Sequence, residues 1–378
     1  VKERIRVLIL LADLAGGGAE RTITRILEGI DRTRFEPRLG LLWKDGPFVS
    51  RVDERELLTP PRIPSRNGTP LAALALLAPW VHLKYLRDFR PHVVMSLTAS
   101  MNLSAGLAVA LGGRGCGWIL REGNNTWRMI QDDLPHPWAA RARKALTGLL
   151  YRRADKVLAI SQGLADGLVQ HFRVAPSKIE VIYNPVDLPE QTEPGREDPS
   201  GPPCILAVGR LEYQKGFDLL LEALALMEHQ RARLVILGEG SRREELTRQA
   251  QQLGLADRVE MPGFCNDPGS YFARARVFAL PSRWEGFGCV VVESMAAGLP
   301  VVVTGCDYGP PEIVQHEVNG LVVPPQDPAA LARALDRVLA ERELAHRLAA
   351  AGRARADHFR IEAISAQYQD LWEKVAGR

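Results

Sequence analysis

Cysteine is scarce and scattered in this sequence. Cys116, Cys204, Cys265, Cys289 and Cys306 are the only five among 378 residues, and no C-x-x-C occurs. An odd, sparse set does not make a disulfide framework, so a reducing, cytoplasmic compartment is expected. No apolar run reaches the ~18 residues of a membrane-spanning helix. The run from Val7 to Ala12 is too short for a signal peptide and leads into glycines rather than a cleavage site. Aromatic residues make up only 6%, with no aromatic–basic platform or known module, which argues against a nucleic-acid partner. The eight histidines are dispersed, and neither H-E-x-x-H nor D-x-D occurs. Nothing here requires a metal or another cofactor.

What is present is ordinary globular composition, 46% apolar and 25% charged, which excludes disorder as the main state. The length suits two or three domains. The net charge of +3 hides a division. Residues 1 to 190 hold 27 Lys+Arg against 19 Asp+Glu, or +8, whereas residues 191 to 378 hold 21 against 26, or −5. The two halves are expected to face different environments, or each other.

Apolar strands alternating with helices run through both halves. Strands are predicted at 5–12, 38–43, 92–97, 117–120, 156–160 and 179–182, with helices from Glu20, at 71–89 with a kink at Pro79, at 101–111 and at 138–153. Residues 189–203, PEQTEPGREDPSGPP, are polar and Pro-rich and read as a linker. Beyond them the rhythm resumes. Strands are predicted at 204–208, 233–237, 258–261, 276–280 and 300–303, and helices at 216–228, 241–253 and 289–297. Apolar strands alternating with helices are what parallel sheets need. The expected fold class is α/β, two doubly wound domains facing across a cleft. The expected limits are 1–188 and 204–357, with a last helix within 358–378 packing back on the first domain.

Several loops carry chemistry. Gly16-Gly17-Gly18 stand at a strand-to-helix junction, where bare backbone and a helix N-terminus favour phosphate or carboxylate, or simply a tight turn. Arg210 and Lys215, in GRLEYQKGF, follow strand 204–208 at the carboxyl edge of the sheet, and two cations there suit a diphosphate. Gly238 opens a second glycine turn, GEGSR. The segment RWEGFGCVVVE at 283–293 places Glu285 at the sheet edge and Glu293 eight positions on, inside a helix. Such a pair fits a polyhydroxylated ligand, because carboxylates accept hydroxyl hydrogen bonds strongly, and Gly286 and Gly288 free backbone N–H groups for anionic oxygens.

Together these segments resemble the retaining glycosyltransferases of family 4, which have the two-domain GT-B fold. The resemblance rests on GGGAER at 16–21, NPVD at 184–187, GRLEYQKGF at 209–217, GEGSRREEL at 238–246 and LGLADRVEMPGF at 253–264. SRWEGFGCVVVESMAAGLPVV at 282–302 and GPPEIVQHEVNGLVV at 309–323 complete it. The family's E-x7-E pair falls on Glu285 and Glu293. The resemblance implies that Arg210 and Lys215 neutralise the departing diphosphate of a nucleoside-diphosphate sugar. It further implies that Glu293 holds the ribose, and that Glu285 with the backbone of Gly286, Phe287 and Gly288 holds sugar and phosphates. Phe264 would border the base, and Gly17 and Gly18 would approach phosphate or acceptor. Many relatives have a histidine after the strand that here reads WIL; this chain has Arg121, Glu122, Gly123, Asn124 and Asn125. Glu122 or Asn124 is the expected substitute, with Arg121 beside them.

The implied reaction moves a sugar, an N-acetylhexosamine or hexose, from a UDP-sugar to a hydroxyl with retention. UDP is preferred over GDP on family frequency alone. The acceptor would be a glycan or a polyprenyl- or lipid-linked glycan in cell-surface polysaccharide or glycolipid synthesis. The stretch 138–153 mixes Trp138, Leu146, Leu149, Leu150 and Tyr151 with Arg141, Arg143, Lys144, Arg152 and Arg153. Such a helix can lie on an anionic membrane, which suggests a peripheral place on the cytoplasmic face of the plasma membrane. Competing readings are a sugar-nucleotide epimerase or glycan phosphorylase on a similar fold, or a non-catalytic sugar-nucleotide-binding protein. The oligomeric state stays open.

Overall fold

The computed structural model describes residues 3–15, 17–60, 71–112, 115–133, 136–188, 201–265 and 267–377. The chain forms two units, one of Val1–Pro185 with Ile361–Arg378, the other of Val186–Arg360. Both are Rossmann-like α/β units of the kind that makes up the GT-B fold.

The first unit holds strands β1 (Ile5–Leu11), β2 (Phe35–Leu41), β3 (Leu57–Leu58), β4 (Val93–Leu97), β5 (Gly117–Glu122), β6 (Lys156–Ala159) and β7 (Ile179–Val181). Their order is β3-β2-β1-β4-β5-β6-β7, parallel throughout. Helices α1 (Gly18–Glu28), α2 (Leu71–Phe89), α3 (Ala99–Gly112), α4 (Thr126–Asp133), α5 (Pro137–Arg153) and α6 (Gln162–Phe172) make the connections. Every residue of β4 is buried, as covering both faces of a parallel sheet demands. Helix α2 runs unbroken past Pro79. Strand β2 begins three residues earlier than its apolar run, through Pro37. It pairs with β3 only at Leu39 and Gly40, so the missing N–H of Pro37 interrupts no ladder there.

The second unit holds β8 (Cys204–Val208), β9 (Arg233–Leu237), β10 (Val259–Gly263), β11 (Val277–Leu280), β12 (Val301–Thr304) and β13 (Leu321–Val323). Their order is β10-β9-β8-β11-β12-β13, again parallel. Its helices are α7 (Phe217–Leu226), α8 (Arg243–Gln252), α9 (Gly269–Arg274), α10 (Cys289–Ala296), α11 (Pro310–Ile313), α12 (Pro328–Ala340) and α13 (Arg342–Ala356). The core joins β8, β9, β11 and β12 to α7, α8 and α12 through Leu220, Leu224, Leu234, Ile236, Val277 and Leu335. Strand β13 and helices α12 and α13 lie beyond the elements that periodicity picks out. The start of α12 is nonetheless written in the sequence: Asp327 accepts from the Ala330 N–H at 2.8 Å, and Pro328 takes the first turn.

The last helix, α14 (Ile361–Ala376), belongs to the first unit. It buries Ile364, Tyr368, Leu371 and Trp372, and Trp372 meets Phe35 edge-on at 5.6 Å. The chain leaves the first unit after Pro185 and returns after Arg360. Val186 and Arg360 pair as a short parallel bridge, and the Val186 N–H donates to the Phe359 carbonyl at 2.8 Å. That pairing puts the crossing a few residues away from the limits of 188 and 357 drawn from composition. Most of the expected linker, residues 189–200, lies outside the described residues. Pro203 already serves the second sheet, accepting from the Arg233 N–H at 2.9 Å.

Helix α2 carries a fully buried histidine, His82, that faces α3. Its Nδ1 pairs with Ser104 Oγ at 2.9 Å, and its Nε2 is buried without a partner among the described residues. Burial pulls its pKa down from 6.5 to about 4. A depressed folded-state pKa gives stability that is whole above pH 6.5 and is lost as the pH falls through 4. The full shift corresponds to about 3 kcal/mol. His82→Gln should flatten the acid limb: denaturant unfolding from about pH 7 to about pH 4.5 should show wild type losing stability faster than the variant. Parallel curves would refute the assignment.

Candidate active site

In a doubly wound sheet, loops on either side of the point where strand order reverses diverge and leave a crevice at the carboxyl ends. In the second unit that point lies between β8 and β11. The loop after β8 carries Arg210 and Lys215; the loop after β11 carries Glu285. Lys215 Nζ stands 2.5 Å from Glu285 Oε1, with side-chain exposures of 14% and 7%. Ser282 Oγ donates to the same oxygen at 2.7 Å. Among the described residues both bonds go to Oε1, which leaves Oε2 to accept from a ligand hydroxyl. Thr304 Oγ1, at the end of β12, donates to the Ser282 carbonyl at 2.5 Å and fixes that turn. Cys306 lies close by, its thiol pushed up to about 12 by burial and by the charge of Glu285.

The glycines around this crevice have different reasons to be there. Gly216 (φ +66) caps α7, and a Cβ on it would collide with the Pro281 carbonyl oxygen of the neighbouring loop. Gly238 (φ +144) follows β9, and a Cβ on it would collide with the Gly209 carbonyl oxygen. Gly288 (φ +96) caps α10. Backbone bonds from Gly209 to Leu237 and from Leu211 to Glu239, both 2.9 Å, hold the β8 and β9 loops together. Glu212 joins them too, accepting from the Ser241 N–H at 3.0 Å and from its hydroxyl at 2.7 Å. Those two bonds lower its pKa.

The other expected residues fall around this frame. Arg210 is exposed at the mouth, and Glu293 is buried on α10, eight positions after Glu285. Phe264 is 63% exposed just beyond β10. Phe287 is buried, its ring edge-on against Phe359 at 5.3 Å. Sequence reasoning overlooked Ser282, Thr304, Tyr213, Asp218 and Arg283. For Tyr213, Asp218, Ser282 and Arg283 the only signal was nearness to Lys215 or Glu285 in the chain, and Thr304 had none.

The first unit gives the remaining expected residues very different surroundings. Gly17 and Gly18 precede and begin α1, but neither has a positive φ. A Cβ on Gly18 would meet nothing within 4 Å. Open space is what Gly18 provides, whereas a Cβ on Gly17 would meet the Glu20 carboxylate. Arg121 is buried: its Nε donates to Tyr368 Oη at 3.0 Å and its Nη2 to Asn184 Oδ1 at 2.5 Å. It ties β5 to α14 and is not a surface contact. Glu122 is buried as well, accepting from Tyr151 Oη at 2.6 Å and Thr126 Oγ1 at 2.9 Å. Burial raises its pKa against those bonds, so the carboxyl resists ionisation and its contribution to stability declines as pH rises. Of the three polar residues, only Asn124 is exposed. Its N–H donates to Glu122 Oε1 at 3.3 Å. The reason is the strand itself: β5 extends through Glu122, carrying Arg121 to Tyr368 of α14 and Glu122 to Tyr151 of α5.

The chain is similar to known proteins over most of its length. The family described as Glycosyltransferase Family 4 matches residues 16–190, and that described as Glycosyl transferases group 1 matches residues 190–355. The N-acetylgalactosamine-N,N'-diacetylbacillosaminyl-diphospho-undecaprenol 4-alpha-N-acetylgalactosaminyltransferase of Campylobacter jejuni is 30% identical over 345 residues, 89% of this chain and 90% of that protein. The lipopolysaccharide core biosynthesis glycosyltransferase LpsE of Rhizobium meliloti is 35% identical over 176 residues, 46% of this chain and 51% of its own. Among solved structures, Anabaena HepE in complex with UDP and glucose superposes with a TM-score of 0.79 at 23% identity, covering 97% of this chain and 99% of that one.

The contrast between glycines is testable. Gly238→Ala should cost about 1–3 kcal/mol in denaturant unfolding, from the left-handed backbone and the close carbonyl. Gly18→Ala should stay within about 0.5 kcal/mol of wild type. Equal effects would refute the distinction.

Proposed function

Because the chain belongs to the family 4 glycosyltransferases, we propose that it transfers an N-acetylhexosamine or hexose from a UDP-sugar to a hydroxyl, with retention of anomeric configuration. The observation that carries the assignment of the donor site is the Lys215–Glu285 pair at the strand-order reversal of the second unit, with Glu293 buried on α10. Lys215 and the exposed Arg210 face the diphosphate; Glu285 Oε2 and Glu293 accept hydroxyl hydrogen bonds. As the C1–O bond to phosphate breaks, charge grows on the diphosphate, and fixed cations stabilise that state more than the ground state. The acceptor oxygen bonds C1 on the same face, and its proton passes to the departing phosphate oxygen. In the first unit, the open backbone at Gly17 and Gly18 and the exposed Asn124 serve as contacts for acceptor or donor sugar.

The Campylobacter relative is named for transfer of N-acetylgalactosamine to a diphospho-undecaprenol-linked sugar. That name supports transfer of an N-acetylhexosamine to a polyprenyl-diphosphate-linked acceptor, a step we place in cell-surface glycan synthesis. It also suits a peripheral place on the cytoplasmic face of the membrane. No helix among the described residues is long and apolar enough to cross a membrane. Helix α5 has five Lys or Arg and no acidic residue, and it exposes Trp138 (72%), Leu146 (54%) and Leu149 (45%). Trp80 of α2 and Leu111 of α3 are exposed too. Cationic charge beside apolar side chains fits an anionic lipid surface.

Nucleotide release from a panel of UDP- and GDP-sugars, with the product anomer read by NMR, tests the reaction. UDP release with a retained anomer is expected; an inverted product overturns retention. Lys215→Ala and Glu285→Gln should each lower kcat/KM by about 10²-fold. Co-sedimentation with phosphatidylglycerol vesicles tests the surface. Neutralising Arg141, Arg143 and Lys144 together with Trp138→Ser should abolish binding, and undiminished binding counts against α5.

A further inference from the structure

The loops that carry Lys215 and Glu285 are joined by side chains that belong to none of the donor contacts. Arg283 makes a bidentate ion pair with Asp218, Nη1 to Oδ1 at 2.9 Å and Nη2 to Oδ2 at 2.6 Å. Its Nη1 also donates to the Tyr213 carbonyl at 2.8 Å, and its guanidinium lies 3.9 Å from the centroid of the Tyr213 ring. The Arg283 N–H donates to the Gln214 carbonyl at 2.8 Å, and Gln214 Nε2 donates to the Trp284 carbonyl at 3.0 Å. Gly216 leaves room only for the Pro281 carbonyl against it. Tyr213, Gln214 and Gly216 are thus each fixed to residues 281–284, and Lys215, among them, reaches Glu285.

Stability does not account for this arrangement. The Arg283 and Asp218 side chains are only 9% and 15% exposed, so both charges have left water. Arg283 Nε is buried with no hydrogen-bond partner among the described residues. Replacing such a pair with apolar residues is often neutral or stabilising, and an orphaned donor adds cost. A bidentate fork does give fixed distance and direction, which a lysine cannot supply. Asp218 sits in the first turn of α7, with Arg242 Nη1 a second cation at 3.5 Å. Burial opposes its charge, but the Arg283 bonds and the two cations keep its pKa low.

We infer that Arg283 and Asp218 are positioning residues for sugar transfer, a clamp that sets the placement of Lys215 against Glu285 and so the affinity for the donor diphosphate. The inference rests on the reading of Lys215 and Glu285 as donor contacts. A misplacement of about 1 Å at such a site can cost as much as about 10²-fold in rate.

The test compares wild type, Arg283→Lys, the pair Asp218→Asn with Arg283→Met, and that pair in a Lys215→Ala background. Each is read by melting midpoint, UDP affinity in calorimetry and kcat/KM with the UDP-sugar that wild type turns over. The pair variant should melt at or above wild type yet bind UDP about tenfold more weakly and lose about 10- to 100-fold in kcat/KM. Arg283→Lys should follow the pair variant, because charge without a fork does not restore the geometry. In the Lys215→Ala background the pair should change UDP affinity less than about twofold, since a clamp acting through Lys215 has nothing left to place. Unchanged UDP affinity overturns the clamp. So does a loss that tracks a lowered melting midpoint, or an equal loss without Lys215. Wild type that binds no UDP overturns the donor reading instead, and the clamp with it.

Discussion

A cation and a carboxylate share a nearly dry contact where the strand order of the second sheet turns back on itself. Much of the second unit follows from keeping that contact in place. The sheet must be parallel for the β8 and β11 loops to open side by side at its carboxyl edge. Its strands must be apolar on both faces, because helices cover both. Gly216, Gly238 and Gly288 must lack side chains, because backbone passes close to backbone or turns left-handed around the crevice. Ser282 and Thr304 then set which oxygen of Glu285 faces Lys215. The pair adds little net stability, since desolvation offsets its attraction. Its value lies in a preorganised charge that an anionic, hydroxyl-rich ligand can meet.

The first unit solves a different problem. Its sheet would leave the face over β1, β4 and β5 uncovered without α14, which the chain supplies only after completing the second unit. Trp372 against Phe35 and Arg121 against Tyr368 hold that helix. The charge at the end of β5 is thereby turned inward, to Tyr368, Asn184, Tyr151 and Thr126. Asn124 alone stays at the surface, on a turn anchored by the same Glu122. The basic excess of this half appears on α5, which presents arginines beside exposed Trp138 and Leu146.

Much of this could be read along the chain. Buried strands such as VLAI and VVV, glycine junctions and the Asp327–Pro328 helix start are local signals, because hydrophobic period and capping act over a few residues. The spacing of Glu285 and Glu293 was equally legible, since a helix start fixes both relative to β11. Residues 121 to 125 misled. Their types are polar, and only the depth to which β5 runs decides that Arg121 and Glu122 point into the layer while Asn124 points out. The pairing of Arg283 with Asp218 left no signal, for the two lie 65 positions apart.

The sequence by itself determined two α/β units, their parallel sheets and the loops that carry Arg210, Lys215, Glu285 and Glu293. Apolar period and glycine placement are properties of short segments, and short segments hold their own conformational preferences. Only the tertiary structure decided which charges meet. It paired Lys215 with Glu285 and Arg283 with Asp218, sank Arg121 and Glu122, and returned α14 to the first unit. Those outcomes depend on the strand order of each sheet and on what covers each face, and both are set by packing between segments far apart in the chain.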